Sequence, residues 1–175
     1  MTKDNSTRHP ELVRDLMTVG VLTCNQDTPI KMVTQILLEK DVEAAVVLDD
    51  EGHGIGIVGR DQLVRAYSSG NYEDLAALDI MEDGVPQIPP DIPITAAAQL
   101  MQDQGRRIFF LMHNAGGIIY PAAYISYKHF LRHIQSDDAE DLIDLGIDAA
   151  RTLPLEAFLE RRDGRRKNID NTPTE

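Results

Sequence analysis

The chain carries one 16-residue passage twice, 64 positions apart, and this duplication restricts it to folds built from two like halves. Residues 15–30 (Asp-Leu-Met-Thr-Val-Gly-Val-Leu-Thr-Cys-Asn-Gln-Asp-Thr-Pro-Ile) align without a gap on residues 79–94 (Asp-Ile-Met-Glu-Asp-Gly-Val-Pro-Gln-Ile-Pro-Pro-Asp-Ile-Pro-Ile). Seven of the 16 positions are identical, where chance gives about one. They are Asp15/Asp79, Met17/Met81, Gly20/Gly84, Val21/Val85, Asp27/Asp91, Pro29/Pro93 and Ile30/Ile94. The register holds through Gln35/Gln99 and Gly52/Gly116, then shifts by three residues to match Arg65 with Arg132. Duplication of this kind predicts a pseudo-symmetric core with two equivalent clefts between the copies.

Each copy reads as strand, helix, strand, strand, helix, an α/β pattern. In the first, Val19 to Cys24 is extended, and Asp27-Thr28-Pro29 opens a helix with Pro at its first position. Ile30, Val33, Ile36 and Leu37 share one face of that helix. Ala44 to Leu48 is an apolar strand, residues 49–52 a turn, and Ile55 to Val58 the returning strand. A helix from Arg60 to about Ser68 is expected to bury Leu63, Val64 and Tyr67. The second copy repeats the order. Val85 to Ile88 is a strand, and Pro93 opens a helix with Ile94, Ala97, Leu100 and Met101 inward. Ile108 to Met112 is a buried strand, residues 114–117 turn, Tyr124-Ile125 return, and Tyr127 to His133 close. Residues 72–81 read as a linker helix. Domain limits follow: a loose segment 1–10, copies at 11–72 and 73–134, and an extension 135–175 with an acidic helix, a short second helix and a disordered tail.

Composition narrows the function. The chain has 175 residues, 42% of them apolar but only 5% aromatic, with no Trp. That supports an aliphatic core and excludes wholesale disorder. A net charge of −12 argues against a general nucleic-acid binder, which needs a basic face toward phosphates. The basic run at residues 161–167 is read as a solvated helix end, or else a docking site for an acidic partner. One cysteine, Cys24, excludes an internal disulfide and any cysteine-based zinc site. No apolar stretch approaches the roughly 18 residues that span a bilayer, and the N-terminus lacks a signal-peptide core. A cytoplasmic protein is expected.

Taken together, the ordered motifs resemble the CBS family, with two copies making a CBS pair (Bateman module) over about residues 11–134. The carrying features are Asp-Leu-Met-Thr at 15–18, Asp-Thr-Pro-Ile at 27–30, and Val-Val-Leu-Asp-Asp-Glu-Gly at 46–52 before Gly56-Ile57-Val58. In the second copy they are Asp79-Ile80-Met81, Asp91-Ile92-Pro93-Ile94 and the Gly116-Gly117 turn. The resemblance implies tandem motifs packed about a pseudo-two-fold axis, a homodimer through the modules, and a regulatory rather than enzymatic role. It also implies an adenosine-containing ligand (AMP, ADP, ATP or S-adenosylmethionine) in the clefts, required by no chemistry of the chain itself. The regulated partner would be a separate protein.

The family's second hairpin strand ends in a Thr or Ser followed three residues later by Asp, which contact phosphate and ribose. Here Gly59 and Gln62 stand at those positions in the first copy, and Ser126 and His129 in the second. Asp61 is one residue early, roughly 100° around a helix. Two charge-assisted hydrogen bonds from ribose hydroxyls to a carboxylate are worth about 1.5–3 kcal/mol each, so the loss of even one weakens binding about tenfold to a few hundredfold. Gln62 retains one acceptor. His129 accepts one bond when neutral and attracts phosphate when protonated. By this resemblance the preferred cleft comprises Val85, Gln87, Phe109, Ser126, Lys128 and His129. The weaker one comprises Val21, Thr23, Ala45, Gly59, Arg60 and Gln62. Arg132 adds positive charge. The alternative is a homodimeric interaction scaffold whose clefts have lost their ligand.

Other signals have bland readings. His129 and His133 are four apart and share a helical face, read as a surface or interface pair rather than a metal site. Cys24 is a buried small hydrophobe. Met17, Met32, Met81, Met101 and Met112 are core packing. Gly52-His53-Gly54-Ile55-Gly56 is a hairpin turn without the Lys-Ser/Thr of a phosphate loop. No nucleophile–base spacing or carboxylate pair points to catalysis, and no metal is expected.

Overall fold

The computed structural model describes residues 11–135. The expected loose N-terminus, the helical extension with its tail, and the basic run all lie outside them. The elements are α1 (Val13–Leu16), β1 (Thr18–Val19), β2 (Thr23–Asn25), α2 (Ile30–Lys40), β3 (Ala44–Leu48), β4 (Gly54–Gly59) and α3 (Arg60–Ser68). They continue with α4 (Ala77–Ile80), β5 (Glu82–Asp83), α5 (Ile94–Asp103), β6 (Ile108–Ala115), β7 (Ile118–Ser126) and α6 (Tyr127–Gln135). The duplicated α/β order is as the sequence predicts.

The two copies exchange their leading segments. One sheet has the order β2-β3-β4-β5 and the other β1-β7-β6. Strand β1 of the first copy therefore pairs antiparallel with β7 of the second, while β5 of the second pairs with β4 of the first. The extended segment expected from Val19 to Cys24 is broken for this reason: Gly20, at φ 91°, turns the chain from one sheet to the other. Hydrogen bonds repeat the exchange at the 64-residue offset. Ile30 N–H donates to Leu75 C=O at 3.0 Å, and Ile94 N–H to Glu11 C=O at 3.0 Å. Val13 N–H donates to Ile92 C=O, as Ala77 N–H does to Thr28 C=O. Asp15 and Asp79 each accept the N–H three residues before them, closing the short helices α1 and α4.

These bonds correct the expected helix starts. Pro29 and Pro93 are not the first helical residues but extended caps with ψ of 137° and 142°. The first amide of each helix, that of Ile30 or Ile94, is satisfied by backbone from the other copy rather than by Asp27 or Thr28. The linker helix shrinks from residues 72–81 to Ala77–Ile80, because Leu75 and Ala76 extend to bridge onto the first copy. The strand expected at Val85–Ile88 is reduced to an isolated bridge, Gln87 to Phe110. In the first copy Gln26 N–H continues the corresponding ladder to Leu48 C=O. Its counterpart Pro90 has no N–H to donate.

Alternation along the strands creates three cores. Ala44, Val46, Ile57, Ile108, Phe110 and Val21 cluster between the sheets. Ala45, Val47 and Val58 face α2, where Val33 and Leu37 meet them, and Ala77 of α4 joins from the other copy. Phe109, Ala123 and Ile125 meet Met101 and Ala97 of α5, with Val13, Leu16 and Met17 arriving from the first copy. Each exchanged segment thus completes the other copy's core, at about 1.5–3 kcal/mol per large aliphatic side chain buried. Three residues added to the second hairpin (strands of eight and nine residues against five and six) produce the shift of register to 67.

Some expected burial fails. Helix α3 buries Ala66, with Leu63 partly covered, while Val64 and Tyr67 are 66% and 68% exposed. Their face of the helix points away from the sheet. Met32 is likewise 53% exposed, on the outer side of α2 opposite Val33 and Leu37. Cys24 is buried, and burial pushes its thiol up to about 11. In the hairpin turn, Asp49 Oδ1 accepts from the Glu51 and His53 amides, and Gly52 takes φ 94°. No helix among the described residues is long and apolar enough to cross a membrane.

Candidate functional site

Helices α3 and α6 begin where β4 and β7 end, and each places a polar side chain at its third position. In the first copy, Gln62 Oε1 accepts from Gly59 N–H at 3.0 Å, capping α3. The Gln62 Nε2 then donates to Glu82 Oε2 at 3.2 Å. Glu82 belongs to β5, the exchanged strand. In the second copy, His129 Nδ1 accepts from Ser126 N–H at 3.0 Å. Its Nε2 must therefore carry the proton and donates to Thr18 Oγ1 at 2.8 Å. Thr18 belongs to β1, the other exchanged strand, and is the repeat counterpart of Glu82. Gln62 and His129, the residues that replace the expected Asp, are thus latches that tie each helix start to the segment inserted from the other copy.

The latches differ in burial. His129 is 3% exposed and Ser126 likewise 3%. Burial pushes the imidazole down to about 4, reinforced by the charges of Arg132 and Lys128. The ring is neutral at pH 7, packs edge-on against Tyr124 at 5.3 Å, and has both nitrogens engaged. The expected surface pair of histidines is therefore corrected: His129 is interior, and His133 Nε2 lies 2.9 Å from Glu11. Among the described residues no group of three or more His, Cys, Asp or Glu is placed to hold a metal.

Around Gln62 the copies leave a cleft. Its floor is apolar, from Ala44, Ile57 and Ile108, and its rim carries Arg60, Arg106 and Arg107 together with the carboxylates of Glu43, Asp61 and Glu82. It amounts to about 90 Å³ as a cavity, or about 500 Å³ counting the open mouth. Arg106 and Glu82 pair across it. Arg60 reaches Asp41 at 3.4 Å and Glu43 at 3.6 Å. Asp41 also pairs with Lys128 of the second copy, and that hydrogen-bonded ammonium, followed by Arg60, holds its carboxyl below the usual range. Asp41 is the one non-glycine among the described residues with positive φ, 49°, at the end of α2. Its counterpart is Gly105, at φ 62°.

Of the residues expected at the first cleft, Gly59, Arg60 and Gln62 line this cavity together. Val21 lies in the core between the sheets, and Thr23 is half-buried opposite Val46. Ala45 faces the helix side, one residue out of phase with its neighbour Ala44, which lines the cleft. At the second cleft, Ser126 Oγ lies 3.0 Å from His129 Nδ1, and Lys128 is paired with Asp41. Phe109 faces the helix side as Ala45 does, and Ile108 takes the cleft position. Val85 packs against the core between the sheets, and Gln87 is exposed at its bridge to Phe110. Sequence reading missed Glu82, Arg106, Arg107, Ala44, Ile57 and Ile108. The alternation of strand faces signals the apolar three, and the repeat flags Glu82 by setting Glu against Thr18.

Comparison with known proteins agrees with the duplication. The sequence model described as the CBS domain matches residues 13–69 and again 76–136. A search of curated protein sequences finds no match. Among solved structures, a CBS-domain-containing protein from Agrobacterium tumefaciens is 19% identical, covers 74% of this chain and 97% of its own, and superposes with a TM-score of 0.62. The CBS domain pair of MJ0100, in complex with 5′-methylthioadenosine and S-adenosyl-L-methionine, is 15% identical over 74% and 100% of the two chains, with a TM-score of 0.64. CBSX2 in complex with AMP is 18% identical over 71% and 96%, with a TM-score of 0.58. At these identities the likeness is one of fold.

Proposed function

The chain belongs to the CBS domain family, and on that footing we propose that it is a regulatory CBS pair that senses an adenosine-containing ligand and modulates a separate partner protein. The observation that carries this reading is the cleft at Gln62. An apolar floor of Ala44, Ile57 and Ile108 beside Arg107, and beside Arg60 and Arg106, which exchange their carboxylate partners for the incoming group, suits a flat base attached to an anionic group. That structures of the same fold were solved with AMP, and with 5′-methylthioadenosine and S-adenosyl-L-methionine, supports the ligand class. The reading places the ligand in the first cleft rather than the second, the reverse of the order expected from Ser126, because the first opens on a cavity, whereas Ser126, Lys128 and His129 engage one another or Asp41. As a cavity of about 90 Å³, the first cleft is smaller than the roughly 300–1,000 Å³ of small-molecule pockets. The ligand therefore opens it by parting Arg106 from Glu82, and this opening is the conformational signal.

Thermal unfolding with AMP, ADP, ATP and S-adenosylmethionine tests the proposal. A ligand at 100 times its dissociation constant adds about 2.7 kcal/mol of stability. A shift that Arg106→Ala or Arg60→Ala reduces supports the reading. No shift with any of the four, in folded and ligand-free protein, removes it.

One observation favours the second reading, a homodimeric interaction scaffold. Val64 and Tyr67 on α3 recur at the 67-residue offset as Leu131 and Ile134 on α6, and all four are at least 66% exposed. Two equivalent apolar helix faces suit a self-complementary two-fold contact with a second copy.

A further inference from the structure

Strand β5 brings a carboxylate to the first cleft from the other copy. Glu82 is the repeat counterpart of Thr18, yet where Thr18 meets the buried His129 its own side chain is 40% exposed at the cavity. One of its oxygens accepts from Gln62 Nε2 at 3.2 Å and the other pairs with Arg106. A carboxylate has about four lone-pair positions, so two remain for donors entering from the cavity. Gln62 is a poorer acceptor than its position in the sequence offers. One of the two lone pairs of its oxygen already takes the Gly59 amide, and its nitrogen can only donate. It acts instead as a positioning residue that holds Glu82 toward the cleft floor.

We infer that Glu82 is the specificity-determining acceptor of the first cleft, binding the vicinal 2′- and 3′-hydroxyls of a ribose. The inference rests on the proposal that an adenosine-containing ligand enters this cleft. The carboxylate absent from position 62 of helix α3, where Asp61 stands one residue early, is thereby replaced by one from the exchanged strand, and the two clefts become chemically unequal. Gln62 keeps the carboxylate aimed when Arg106 parts from it, and the apolar floor excludes the water that would compete for its remaining lone pairs.

The test is calorimetric titration of AMP, 2′-deoxy-AMP and 3′-deoxy-AMP into the wild-type chain, Glu82→Gln and Glu82→Thr. The second variant copies the residue that the same backbone already carries at Thr18, and melting curves confirm that both are folded. Removing either hydroxyl from the ligand is expected to weaken wild-type binding about tenfold or more. Glu82→Gln is expected to weaken AMP by at least as much, and in both variants the deoxy ligands are expected to bind nearly as well as AMP. If the deoxy penalty is the same in wild type and variants, Glu82 is not the acceptor, while the nucleotide proposal stands. If AMP, ADP, ATP and S-adenosylmethionine all fail to bind the wild-type chain, both proposals fall.

Discussion

His129 Nε2 lies 2.8 Å from Thr18 Oγ1, joining the first turn of the last described helix to the first strand of the chain. Gln62 and Glu82 make the corresponding link 3.2 Å long in the other copy. Each is a side-chain bond between a helix start and an exchanged strand, so both bear on how the two copies hold together.

Stability should fall with acid through His129. Its folded pKa, about 4, is depressed below the ordinary value of 6.5, so the unfolded chain binds a proton before the folded one does. The contribution is complete above pH 6.5, declines as pH falls, and is gone below about 4. It amounts to about 3 kcal/mol over the window. Urea unfolding at a series of pH values measures it. His129→Gln, which imitates Gln62, should flatten this part of the profile, and an unchanged slope would show that another group is responsible.

Thr18→Val should destabilise by about 1–3 kcal/mol, because it leaves a buried imidazole N–H without its acceptor. Thr18→Ser should restore most of the loss. Chemical denaturation of the three proteins decides it, and equal stability of Val and Thr would mean that the bond contributes nothing net.

Gly56→Ala should open the seam between β4 and β5. An added Cβ would lie 2.5 Å from the Glu82 carbonyl oxygen and 2.8 Å from Met81 Sδ, so the exchanged strand must move, at a cost of about 1–3 kcal/mol. Hydrogen exchange should then rise at Gly84, whose amide donates to Ile55 C=O. Protection identical to wild type at that amide would contradict the argument.

Val64→Glu combined with Leu131→Glu should separate a dimer formed through α3 and α6. Both positions are 66% exposed, so the monomer's stability should change by no more than about 0.5 kcal/mol. Sedimentation equilibrium is the measurement. A dimeric wild type and monomeric variant support the contact, whereas a dimer in both places the interface elsewhere.

The duplication at 64 residues, the α/β order, the two main helices and the buried strands Ala44–Leu48 and Ile108 onward were legible in the sequence. Each depends on neighbours along the chain: apolar spacing, turn residues and the repeat itself. Even the shift to 67 was visible before the longer second hairpin explained it. What the tertiary structure alone decided is which copy each segment serves. Nothing local to Thr18 or Glu82 says that its strand pairs with the other half, since those bonds join residues far apart in sequence and the same pattern would satisfy an unexchanged pairing. The exchange in turn decided the site. It brought Glu82 to Gln62, closed His129 over Thr18, and set the phase of the strands so that Ala44 and Ile108, not Ala45 and Phe109, face the cleft. A period-two strand has two faces of nearly equal apolarity here, and only the packing of sheet against sheet chooses between them.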